Sequence, residues 1–337
     1  MGYRLRQEIL FFWLKRPALS SRFLPKVPNM DEKALRGIQL PEFQGHLPPG
    51  TVKGLMEGEV FCLGGDRASI ERFEAETRGR FFADLPLGEE LPDIRLVWEP
   101  ARLQNVTALL FSSSLIGEGQ SNSQAIARAQ EALFEWMKKN PFPLGPHYIS
   151  AMECGLRIPV FVYSLKLMDL SPDQRREILH FLYLHAWWIS RRLSLYASRG
   201  NHTVCEGLGL VFAGVVFRSF PEGDRWLSLG VKTLRREILD QILPDGGLVE
   251  QSLGYHRLIL DVYWLAFDFL KKNGIDLHLE WKPLLDKGER FLEAFRQGSY
   301  LPAIGDSDDG CVVAPGIHPR RTHFANQRNG IRKAERS

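Results

Sequence analysis

The 337-residue sequence predicts an all-α fold: a complete or incomplete α/α toroid of about five or six helical hairpins, with an irregular N-terminal arm. Three observations carry this expectation. From Trp98 onward, apolar residues recur at helical spacing near 99–117, 122–139, 148–169, 173–196, 203–218, 222–242, 251–273 and 283–297. The breaks between these segments (SNS, NPFPLGP, LSPD, SRGN, FPEGD, LPDGG, KKNG) are short and carry turn or cap chemistry, so successive helices should run antiparallel. Several helices, Gly207 to Phe217 among them, look apolar on more than one face, as an inner ring enclosed by an outer ring would be. The period is too irregular for a tetratricopeptide or ankyrin array.

Taken in order, MGYRLRQEILFFWLKRP reads as an amphipathic first helix. Its apolar run Ile9–Leu14 is short for a signal segment, ends at Lys15-Arg16 without a small-residue cleavage site, and falls below the roughly 20 residues of a membrane span. The expectation is therefore no export signal, a cytoplasmic location and no membrane span, with peripheral membrane contact as the other reading of this helix. Residues 17–95 are rich in Pro and Gly. A short strand is expected from Gly58 to Leu63 and a loop from Pro86 to Pro92, so 1–95 forms a helix plus an extended arm on the toroid, which occupies 96–310. Ser171-Pro172-Asp173-Gln174 is a helix start, with a capping serine, proline at the first helical position and glutamine three residues after the cap. Residues 311–337 are expected to be a disordered basic tail, since Gly316–Ser337 has six Arg or Lys against one Glu and few apolar residues.

Hydrophobic content of 44% and charged content of 25% are ordinary for a globular protein. A net charge of +3 does not argue for a nucleic-acid partner, and leaves room for a local basic cleft that holds an acidic ligand. Cys62, Cys154, Cys205 and Cys311 have no metal-ligand or disulfide spacing; Cys154 and Cys205 read as buried thiols in helices, and neither metal nor cofactor is expected.

Chemistry is concentrated in two stretches, Asn201-His202-Thr203-Val204-Cys205-Glu206 and, after Pro244-Asp245-Gly246-Gly247, Glu250-Gln251-Ser252-Leu253-Gly254-Tyr255-His256. Removing the C5 proton of a uronic acid requires neutralising the adjacent carboxylate, offering a base and protonating the leaving oxygen at C4. Asn201 can donate amide hydrogens to the carboxylate, His202 can help or take the proton, and Tyr255 can serve as acid or as both acid and base. Glu206, four residues after His202, shares its helix face and would orient the imidazole. His256 points about a quarter-turn from Tyr255. Each residue also has a plainer reading: Asn201 as a helix cap, His202 as a structural hydrogen-bonder, Tyr255 as core, and Trp187-Trp188 as packing rather than a sugar platform.

The stretches SRGNHTVCEGLGLVFAGVVF and PDGGLVEQSLGYHRLILDVY resemble the heparinase II/III-like polysaccharide lyases. So do PDIRLVWEPARLQ at 92–104, ISAMECGLRIPVF at 149–161 and LPAIGDSDDG at 301–310. The resemblance covers about residues 55–310. It implies an α/α toroid followed by a β-sandwich, acting by β-elimination on an acidic, uronate-containing polysaccharide such as alginate or a glycosaminoglycan. Asn201, His202 and Tyr255 would be catalytic, with Glu206, His256, Trp98, Glu99, Arg102, Glu153 and Arg157 lining or supporting the substrate cleft; for each of the last five a structural ion pair or packing role is an equal reading, and Arg157 follows Glu153 at the spacing of a supporting helix pair. Two departures are expected to matter: Gly200 stands where the family usually has a second asparagine, and the chain stops where the β-sandwich should begin. Two other functions remain open. One is a glycoside hydrolase on the same toroid, using a carboxylate pair such as Glu206 and Asp306. The other is a non-catalytic glycan-binding or scaffold remnant.

Overall fold

A computed structural model describes residues 3–16, 23–62, 67–86, 88, 92–115, 120–196, 198–276, 281–298, 301–306 and 310–321. The body is an α/α toroid. Its inner layer comprises α6 (Gln104–Leu115), α8 (Ala151–Leu167), α10 (Asn201–Val216) and α12 (Leu253–Lys272), each packed on the next. The outer layer comprises α7 (Gln120–Lys139), α9 (Pro172–Ile189), α11 (Pro221–Gln241) and α13 (Lys282–Phe295), each following its inner partner in the chain. The burial follows from the sequence. In α10, His202 is the one residue that is not buried, whereas α11 alternates buried Trp226, Leu234 and Ile238 with exposed charges. Inner helices approach closely where they present glycine: a Cβ on Gly209 of α10 would lie 2.7 Å from the Gly155 Cα of α8.

The N-terminal region lies on this body as short elements: α1 (Tyr3–Leu14), α2 (Glu32–Gly37), β1 (Phe43–Gly45), α3 (Thr51–Met56), α4 (Arg67–Thr77) and α5 (Ile94–Trp98). The capping box at Ser171 forms as expected, with Gln174 N–H donating to Ser171 Oγ at 3.2 Å and Ser171 N–H to Gln174 Oε1 at 3.0 Å. Cys154 and Cys205 are buried.

Three expectations are corrected. Residues 58–62 form no strand; the chain pairs instead at Phe43–Gly45, antiparallel to β2 (Ile317–Pro319). The helix expected to run to 196 ends at Ile189, because Ser194 just beyond it is held by α10: it donates to Glu206 and its carbonyl accepts from Thr203 Oγ1 at 2.9 Å. The tail expected to be disordered from 311 is ordered through 321. There β2 closes on β1, and Arg321 reaches two buried carboxylates, Asp261 of α12 and Glu289 of α13. Local composition cannot reveal partners so distant in sequence. Residues 322–337, and most of the loop expected at 86–92, lie outside the described residues.

Candidate active site

Asn201 begins α10 because Gly200 turns the chain at φ 108°, a conformation that favours glycine. A side chain at 200 would also meet Glu250, since an added Cβ would lie 2.6 Å from its Oε1. Both facts account for glycine where the resemblance leads one to expect asparagine.

Glu250 is the site residue that sequence reasoning missed. Its carboxylate accepts from the Asn201 backbone N–H at 2.9 Å and from Asn201 Nδ2 at 2.9 Å. One side chain thus satisfies an orphan donor at a helix N-terminus and fixes the amide of the residue that begins the helix. An ionised carboxylate only accepts, so the amide must present its nitrogen to Glu250. Among the described residues, the second Nδ2 hydrogen has no acceptor. Burial pushes the Glu250 carboxyl up, the two bonds from Asn201 oppose that rise, and nearby Asp306 and Glu237 add to it.

Tyr255 lies in the first turn of α12, where Ser252 caps the helix by accepting from the Tyr255 N–H at 3.1 Å. Its hydroxyl donates to Asp306 Oδ2 at 3.4 Å. Asp306 reaches this position because the Leu253 N–H donates to the Ile304 carbonyl at 3.0 Å, bringing Gly305 and Asp306 to the start of α12. Residues 307–309 of the GDSDDG stretch lie outside the described residues. Arg95, anchored by Asp93 at 2.7 Å, is within electrostatic reach of Asp306 and Tyr255. Asn201 and Tyr255 therefore stand at the starts of neighbouring inner helices, and their partners Glu250 and Asp306 lie within electrostatic reach of each other.

His202 is half-buried beside Asn201 and close enough to act on Glu153 of α8. Glu153 is buried and accepts a bidentate pair from Arg102, at 2.9 Å for both bonds. Burial pushes its carboxyl up, but Arg102, then Arg157 and His202, outweigh burial and hold it below the usual range. Beneath His202 there is thus a buried anion already matched to a buried cation.

The remaining sequence-picked residues are mostly engaged inside the protein. Glu206 accepts from the Ser194 N–H (2.8 Å) and Ser194 Oγ (2.6 Å), and burial pushes its carboxyl up to about 7 against those bonds. It anchors the loop after α9 in place of the expected grip on His202. Arg157 is fully buried, donating to His185 Nε2 at 3.1 Å and to the His147 and Ala101 carbonyls. The Trp98 indole donates to the Pro146 carbonyl at 3.0 Å, and Glu99 is buried. His256 is fully buried against Phe291 and Gly288 of α13, its ring nitrogens without partners among the described residues; burial and then Arg321 push it down to about 4. It faces the core at α13, whereas the Tyr255 hydroxyl meets Asp306. Trp187 and Trp188 pack with Phe142, as the plainer reading held.

A cavity of about 490 Å³ beside α4 and α7 and another of about 1090 Å³ beside α2 and α9 are lined by none of Asn201, His202 and Tyr255. Among the described residues, no group of three or more His, Cys, Asp or Glu is arranged to hold a metal ion.

Comparison with known proteins bears on the family and the fold. Residues 121–294 match the family model described as Heparinase II/III N-terminus. A heparin-sulfate lyase of Pedobacter heparinus is 28% identical over 150 residues, covering 42% of this chain and 22% of that protein. One of Bacteroides thetaiotaomicron is 30% identical over 156 residues, covering 44% of this chain and 22% of that protein. The chain thus matches about a fifth of the length of these curated relatives. A crystal structure of heparinase III superposes with a TM-score of 0.53 at 18% identity, covering 91% of this chain and 47% of that one, and so shares the fold. With the family model spanning more than half of its length, the chain belongs to the heparinase II/III family, in the helical part that the N-terminal model describes.

Proposed function

We propose that this chain is the toroid of a polysaccharide lyase that cleaves a uronate-containing acidic polysaccharide by β-elimination. The placement of Asn201 and Tyr255 at the starts of neighbouring inner helices carries this reading, with the Asn201 amide held by Glu250 and the Tyr255 hydroxyl by Asp306. Membership of the family and the names of the relatives support it.

In the proposed reaction, Asn201 directs its remaining amide hydrogen to the uronate carboxylate, dispersing charge that would oppose loss of the C5 proton. His202 acts as the base that takes that proton. The electron pair forms the C4–C5 double bond, the C4–O bond breaks, and the Tyr255 hydroxyl gives its proton to the departing oxygen. Holding the amide before substrate arrives lowers the ordering needed in the transition state. The hydrolase alternative loses its carboxylate pair, because Glu206 is buried on Ser194 while Asp306 is exposed at Tyr255.

The test is incubation with alginate, heparan sulfate, chondroitin and hyaluronan, following ultraviolet absorbance of the unsaturated uronate. Turnover that disappears in Asn201→Ala and Tyr255→Phe supports the proposal. New reducing ends without unsaturation would show hydrolysis, and glycan binding without turnover, unchanged in Tyr255→Phe, would show a binding module.

A further inference from the structure

Helix α1 is apolar on two opposite sides. On one side Leu10 and Leu14 are buried on the body, and Phe11 meets Phe82 and Trp188 at ring distances of 5.1 and 6.2 Å. On the other, Leu5, Ile9 and Phe12 are 47%, 39% and 51% exposed, following one another at helical spacing. Trp13 extends this stripe, with Phe23 stacked on it at 6.1 Å. Seating α1 on the toroid needs only the first side; an outward face meeting water alone would carry polar residues.

Charge identifies what covers the second side. Arg4 and Lys15 flank the stripe along one edge, Arg6 along the other, and Arg16 stands at its end with its guanidinium 3.4 Å from the centre of the Phe12 ring. All four are exposed; Glu8 is the single acidic residue of α1, and Lys15 also pairs with Asp84 at 2.7 Å. An apolar stripe between basic edges, with a tryptophan beside it, complements a surface that is apolar beneath an anionic layer.

We propose that this surface rests on an anionic lipid bilayer, with α1 in the plane of the interface. Leu5, Ile9 and Phe12 enter the boundary between headgroups and acyl chains, and the arginines meet lipid phosphates. From Leu5 to Phe12 the stripe is about 10 Å long, so attachment is peripheral and reversible. Among the described residues no helix is long and apolar enough to cross a membrane.

The test is sedimentation of the full chain with phosphatidylcholine vesicles, with and without phosphatidylglycerol, at low and high salt. Binding is expected only to the anionic vesicles, weakening with salt. Arg4→Gln/Arg6→Gln should weaken it about 25-fold, at about fivefold per charge, and Leu5→Ser/Phe12→Ser should abolish it with thermal unfolding unchanged. No binding, equal binding to neutral vesicles, or retained binding in both double variants would overturn the proposal. So would a concentration-dependent dimer, lost in Leu5→Ser/Phe12→Ser and indifferent to vesicles, which would place a second copy on this face.

Discussion

Replacing Arg321 with methionine tests whether the segment after the toroid is part of the folded body. Arg321 Nη1 lies 2.6 Å from Glu289 Oε2, and its other terminal nitrogen pairs with Asp261. Both carboxylates are buried; His318 Nδ1 adds a contact to Asp261 at 3.0 Å, and the Trp264 indole donates to Glu289 at 2.9 Å. Burial pushes the Asp261 carboxyl up, yet Arg321 and then His318 outweigh it and hold it low; at Glu289 burial outweighs Arg321 and the carboxyl goes up. Without the guanidinium, one carboxyl is expected to take up a proton. Holding a buried carboxyl neutral about three pH units above its ordinary value costs about 4 kcal/mol, in line with the roughly 3–5 kcal/mol of a broken buried pair. A carboxyl whose folded-state value is raised contributes stability below its unfolded value, and this is lost as pH rises. Urea denaturation followed by tryptophan fluorescence should therefore show a loss of about 4 kcal/mol near pH 7 and much less near pH 4. An unchanged midpoint near pH 7, or equal losses at both values, would refute the reasoning.

Three other outcomes are expected. Glu250→Ala should lower the turnover of the proposed lyase by about 10²–10³-fold while Glu250→Gln, which keeps one acceptor for Asn201, loses less; equal activity of all three forms in the absorbance assay would count against a role for this contact. Gly200→Ala should destabilise by roughly 1–3 kcal/mol from its φ of 108° and displace Glu250, measurable as a lower melting temperature together with lost turnover. Glu206, pushed up to about 7 from 4.5 by burial, contributes stability below about pH 4.5 that declines as pH rises to about 7. Glu206→Gln should remove that decline, about 3 kcal/mol, in denaturation at several pH values; parallel profiles for both proteins would contradict it.

What the sequence disclosed follows the range of the interaction. Helices of the toroid were legible because apolar spacing and caps such as Ser171-Pro172 are local, and the doubly apolar α10 marked the inner layer. Tyr255 and His256 were separable for the same reason: adjacent helical positions diverge by about 100°, and here one faces Asp306 while the other faces α13. Glu250 was illegible as the partner of Asn201, since the two are 49 positions apart and the loop before α12 follows no period. The same limit hid Arg102 with Glu153, Ser194 with Glu206, and the three-residue pairing of β1 with β2, too short to show alternation. The i, i+4 spacing that suggested Glu206 for His202 was outweighed by Ser194, whereas Arg157 does act on Glu153 electrostatically, behind Arg102.

The most direct measurement is ultraviolet absorbance at the unsaturated uronate band, with the full chain and its Asn201→Ala and Tyr255→Phe variants on the four acidic polysaccharides. A rise with at least one polymer, abolished in both variants while their folding is intact, is the expected result. Equal rises in all three proteins, or no rise with any polymer from the folded chain, would contradict the assignment of eliminative chemistry to Asn201 and Tyr255.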